Sequence, residues 1–125
     1  MRNIASLALG LGLSLLCSTY ATAGAPLTTP VLLATSLGSV ECIVANVGTK
    51  PVDVQVDLVG PNGQNVVTCT DTVNPGEVSP NCTPVNTPGP FTGYCRFSGG
   101  NKKQIRGSII SRDSNGDPTA TLAAQ

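Results

Sequence analysis

The sequence contains no histidine and no tryptophan, and its one methionine is Met1. The missing histidine removes the usual general base, the serine and cysteine triads, and most zinc and copper sites. Charge is scarce too. Seven basic and seven acidic residues give a formal net charge of zero, which argues against nucleic-acid or anionic-membrane binding driven by total charge. The cysteines form no C-x-x-C pair, so structural zinc is excluded along with catalytic metal, and no cofactor is expected. Beyond residue 24 no stretch shows a helical period.

The first 23 residues read as a cleaved signal peptide. Arg2 gives a positive start, Ile4 to Cys17 is apolar apart from serine and glycine, and Ala21-Thr22-Ala23 offers small residues at the −3 and −1 positions. The apolar run is too short for a membrane span. Leu16 before Cys17 speaks against a lipoprotein signal. Residues 24–125 remain as one exported domain, placed in the periplasm, at the cell surface or in the medium, with no membrane span. They keep Cys42, Cys69, Cys82 and Cys95. An even count in a short exported chain implies two disulfides.

The organising stretch is Val40 to Leu58. Val52, Val54, Val56 and Leu58 share one strand face, and Asp53, Gln55 and Asp57 share the other, expected to be the solvent face. Val40, Cys42 and Val44 do the same before it, and Asn46 to Pro51 supplies turn chemistry, so the two strands are expected to form a hairpin. An edge strand is expected near 31–35. A strand over 65–70 follows the turn Pro61-Asn62-Gly63-Gln64, and residues 71–92 form a proline-rich loop with a short strand near 77–79. Phe91 to Phe97 holds Phe91, Gly93, Cys95 and Phe97 on a core face, with Tyr94 and Arg96 opposite. Strands over 104–111 and 119–123 complete an all-β antiparallel sandwich of about seven short strands. Cysteine positions suggest the bridges Cys42–Cys95, between inward faces of two strands, and Cys69–Cys82, around the Asn74-Pro75-Gly76-Glu77 turn.

The order Asn46-Val47-Gly48, alternating strand, Gly60-Pro61-Asn62-Gly63 and Asn74-Pro75-Gly76-Glu77 resembles CARDB-type and related immunoglobulin-like domains of exported bacterial proteins over about residues 40–82. Cys42 and Cys95 resemble the inter-sheet cysteines of immunoglobulin domains. No tryptophan follows Cys42, and Tyr94 sits one residue before Cys95 rather than two. The resemblance implies a structural or adhesive module and carries no functional residue with it.

No catalytic constellation emerges, and the chain is read as a non-enzyme. Lys50, Lys102 and Lys103 lie in turns, where the burial that makes a lysine a nucleophile is not expected. Asp113, Asn115 and Asp117 occupy ligand positions of a calcium loop, but Pro118 and Ala124 replace its glycine and glutamate. Asn81-Cys82-Thr83 fits a glycosylation sequon. The one charge asymmetry is the segment 94–106, expected as a hairpin turning at Gly100-Asn101 and setting Arg96 opposite Arg106. With Tyr94, Lys102 and Lys103 these arginines form the candidate binding site for acidic glycans or an acidic protein. The leading reading of the chain is a noncatalytic exported structural or interaction module of unspecified role; the acidic-partner site is the alternative, and a secreted protease inhibitor presenting the span between Cys82 and Cys95 is a third.

Overall fold

In the computed structural model, which describes residues 24–34, 38–79 and 84–125, the chain is all-β, with antiparallel pairing throughout and no helix among the described residues. Nine strands are described: β1 (Leu27–Thr28), β2 (Leu32–Ala34), β3 (Gly38–Asn46), β4 (Val52–Val59), β5 (Asn65–Val73), β6 (Val85–Thr87), β7 (Phe91–Ser98), β8 (Ile105–Asp113) and β9 (Pro118–Ala123). One sheet runs β1-β7-β4-β5 with β2 also on β7; the other runs β6-β3-β8-β9. The entry segment supplies β2, the edge strand expected near 31–35, and β1, an unexpected strand, as is β6. Thr29 clamps that segment onto β7, its N–H donating to Cys95 O at 3.0 Å and its Oγ1 accepting from Cys95 N at 3.0 Å.

The two-residue periods of the sequence place the core as expected. Val52, Val54, Val56 and Leu58 of β4 and Cys95 and Phe97 of β7 face Val40, Cys42 and Val44 of β3 and Ile105 and Ile109 of β8, all buried in one cluster. The Cys42–Cys95 disulfide crosses between the sheets. Gly107 of β8 lies beneath the Phe97 ring, where an added Cβ would collide with it. The largest core side chain is thus seated by an absence of side chain on the opposite sheet. Cys69 is not available as a free thiol. The signal peptide, Cys82 and the sequon lie outside the described residues.

Among the described residues two turns are hairpins, and two expected hairpins are not. The 60–64 turn joins the paired strands β4 and β5, with Gly60 N donating to Gln64 O at 2.9 Å. The 113–117 turn joins β8 and β9. By contrast β3 and β4 belong to different sheets, as do β7 and β8. The Asn46–Pro51 and Gly99–Gln104 segments are therefore crossovers from one sheet to the other. Turn residues specify that the chain reverses. They do not specify whether the returning strand pairs beside its predecessor or stacks over it.

Asn46 makes the first crossover. Its side chain is buried, Nδ2 donates to Lys50 O at 2.7 Å and to Val73 O at 2.8 Å, and Oδ1 accepts from Gly48 N at 2.8 Å. Its main chain reaches the 74–77 turn, with Asn46 N donating to Glu77 O and Gly76 N donating to Asn46 O. The short strand expected near 77–79 is a single bridge between Val78 and Ala45. In the second crossover Gly99 and Gly100 adopt φ of 93° and 62°, a left-handed bend that side-chain-bearing residues resist.

Candidate functional site

The five residues expected to form one basic hairpin face are divided by the fold. Tyr94 and Arg96 lie on the outer face of the first sheet, and Arg106 lies on the outer face of the second. Arg96 and Arg106 are not cross-strand partners, because the partner of Arg96 on β4 is Asp57.

Asp57 is itself a correction to the sequence reading, which placed it in solvent. It is fully buried, at the centre of a polar cluster on the outer face. Arg96 donates to its Oδ2 from Nε at 3.0 Å and from Nη2 at 2.9 Å. Thr68 Oγ1, from its partner position on β5, donates to Oδ1 at 2.7 Å, and Gln55 Nε2 donates at 3.1 Å. Asn65 closes the ring, accepting from Arg96 Nη2 and donating to Thr68 Oγ1. Burial alone would raise the Asp57 pKa. The hydrogen bonds from Thr68, Arg96 and Gln55, with the Arg96 charge, outweigh it and hold the carboxyl below its ordinary value.

Because the folded-state pKa lies below the unfolded one, the unfolded chain binds more protons in the acid range. The stabilisation from Asp57 is present above about pH 4 and is lost as pH falls through the lowered folded value. Asp57→Asn, which leaves Arg96 without its anion, is expected to cost about 2 kcal/mol at neutral pH. It should also flatten the acid limb of the stability curve. Urea melts from pH 2 to pH 7 check both, and equal acid sensitivity of variant and wild type would contradict the assignment. Arg96 is therefore a cross-strand tie in this fold, not a free binding group.

The crossovers assemble a different basic group. Val47 N donates to Gln104 O at 2.7 Å, and Gly48 sits against the Gln104 side chain, so the two crossovers lie side by side at one end of the molecule. Lys50 comes from the first, Lys102 and Lys103 from the second. Arg106 Nη1 reaches back to Lys102 O at 3.3 Å and Ile105 O at 2.8 Å. Among the described residues none of these four is in an ion pair, whereas Arg96 pairs with Asp57 and Arg112 with Glu41. Glu77, the acidic residue of the adjoining turn, accepts from Asn74 Nδ2 at 2.9 Å. Asp53, at the start of β4, accepts from Thr72 Oγ1 at 2.6 Å. Lys50 was not legible as part of this group, because its crossover meets the one carrying Lys102 only through connections distant in the chain.

At the opposite end Asp113 and Asp117 occupy the β8–β9 turn. Asp113 Oδ1 accepts from Asn115 N at 2.9 Å and Asp117 N at 3.0 Å, hydrogen bonds that close the turn. Of the proline-rich span, residues 85–87 are paired to β3 as β6. No helix among the described residues is long and apolar enough to cross a membrane. Comparison with family models, with curated proteins and with solved structures finds no match.

Proposed function

We propose that the protein is an exported, noncatalytic interaction module whose electropositive end engages an anionic partner, an acidic glycan or the acidic surface of a protein. The observation that carries this reading is the partition of the basic residues. Those on the sheet faces, Arg96 and Arg112, are matched to acids, and those at the crossover end, Lys50, Lys102, Lys103 and Arg106, are left unpaired among the described residues. Three flexible ammonium groups on the crossovers and one guanidinium at the start of β8 outnumber the carboxylates of Asp53, Asp71 and Glu77 at that end and present a positive field suited to a polyanion. Asp113 and Asp117 place two carboxylates at the far end. An inter-sheet disulfide fits an oxidising compartment and hence export.

The reading of the scaffold as an immunoglobulin-like sandwich is supported by internal pairings. The β3–β6 and β4–β7 neighbours, with Cys42–Cys95 between sheets, correspond to the B–E and C–F pairs and their bridge in that fold. The outer strands depart from it. The entry strands lie beside β7, where a final strand would run, and the β8–β9 hairpin lies beside β3, where the first would run. A Cys69–Cys82 bridge completes the proposed covalent frame.

The test uses retention on an immobilised sulfated polysaccharide. Wild type is expected to bind at low salt and elute as ionic strength rises. The triple variant Lys50→Gln, Lys102→Gln, Lys103→Gln should bind about tenfold more weakly, at roughly 0.5 kcal/mol for each exposed charge, with an unchanged melting temperature. Equal retention of the variant would mean that these lysines carry no polyanion binding, and would overturn the reading of the crossover end.

A further inference from the structure

We propose that the cleft between residues 24–27 and the Gly99–Lys103 crossover is a binding site for a small organic carboxylate carrying an apolar tail. The cleft measures about 400 Å³, at the small end of ligand sites. Its floor is apolar, formed by Leu27, Phe97 and Ile105, and its rim carries Lys102 and Lys103. Gly99 and Gly100 form one wall. Both have positive φ, and an added Cβ would run into β4, against Asp53 O at Gly99 and the Val52 side chain at Gly100, so this wall is bare backbone. Ala25 on the facing wall is exposed and small.

The polar groups of the rim favour an anion. The N–H groups of Asn101 and Lys102 donate to no protein acceptor among the described residues, while Lys103 N is held by Asn101 Oδ1 at 2.9 Å and Gln104 N by Asn101 O at 2.7 Å. Consecutive amides in a turn form a concavity for an anionic oxygen. Arg106, whose planar fork would suit phosphate, is folded onto Lys102 O and Ile105 O instead. Two single-point ammonium groups above an apolar floor match a carboxylate with a hydrocarbon chain. Cleavage after Ala23, as the sequence leads one to expect, sets the Gly24 α-ammonium on the same rim as a third positive group. The site rests on the electropositive end for part of its charge, but its apolar floor and its amides are its own.

The experiment titrates the exported, processed protein with octanoate, with acetate as charge without tail and octanol as tail without charge, followed by amide chemical shifts. Octanoate is expected to saturate and to shift Leu27 and Gly99 to Lys103, with acetate and octanol each at least tenfold weaker. Lys102→Gln with Lys103→Gln should weaken octanoate several-fold. Ala25→Phe, which fills the cleft mouth, should abolish octanoate binding and leave polysaccharide retention intact, whereas Lys50→Gln should reduce retention and leave octanoate binding intact. Failure of octanoate to saturate, octanol binding as tightly as octanoate, or undiminished octanoate binding by the Ala25→Phe variant overturns the site. Loss of polysaccharide retention in wild type with octanoate binding preserved overturns only the polyanion reading.

Discussion

Replacing Cys42 and Cys95 together by alanine is expected to cost about 4 kcal/mol of folding stability, the chain-entropy estimate for a loop of this length. The bridge spans 53 residues and ties β3 of one sheet to β7 of the other. A mature chain of about 100 residues buries only a modest core, and total stabilities of such domains are about 5–15 kcal/mol. The loss would therefore remove a large part of the folded-state margin. Both cysteines are changed at once so that no stray thiol can exchange with Cys69. Guanidinium melts of the double variant and wild type measure the difference. A loss below about 1 kcal/mol would mean that sheet-to-sheet packing alone holds the two layers in register.

The second large effect is expected at Asn46. Its amide closes three hydrogen bonds in a buried position, two to carbonyls and one from an N–H. Asn46→Ala strands all three groups, at about 1–3 kcal/mol for each that water cannot reach. A net loss near 3 kcal/mol is expected. Asn46→Asp is the sharper variant. It keeps the acceptor for Gly48 N but turns a carboxylate oxygen toward the carbonyls of Lys50 and Val73, so it should be at least as damaging as alanine at neutral pH. Thermal and urea melts of the pair decide it. An aspartate variant as stable as wild type would remove Asn46 from its place as the crossover clamp.

Asn46 also shows how far the sequence could be read. Its part in a turn was legible from Asn-x-Gly spacing, and the alternation from Val52 to Leu58 correctly named the buried face. Inward-facing apolar neighbours around Cys42 and Cys95 were enough to predict their bridge. What local pattern could not convey is which strands lie side by side. A strand that crosses to the other sheet keeps the same inward residues as one that turns back beside its predecessor, since both sheets face one core. The expected 94–106 hairpin contained a warning, because it set Arg96 opposite Arg106, a mildly destabilising pair. Asp57 and Arg96, opposite in charge and both outward in parity, offered the better pairing and would have placed β4 beside β7. Once Arg96 is assigned to Asp57, the candidate site moves off the sheet face to the crossover end and gains Lys50.

The polar cluster around Asp57 explains why Arg96 is a committed side chain. An arginine held by two hydrogen bonds to a buried carboxylate gives up much of its capacity for an incoming anion. Lys50, Lys102 and Lys103 have no such commitment among the described residues, and as long, solvated side chains they can be exchanged without disturbing the core.

The most direct test of the crossover end as the binding site is a residue-resolved titration of the processed protein with a sulfated oligosaccharide at low salt, read from backbone amide shifts. The predicted result is a set of saturating, salt-sensitive shifts confined to the two crossovers, Val47 to Lys50 and Gly99 to Arg106, with Tyr94 and Arg96 unmoved. Shifts centred on Tyr94, Arg96 and their neighbours on the outer face of the first sheet, or no saturating shifts anywhere, would contradict it.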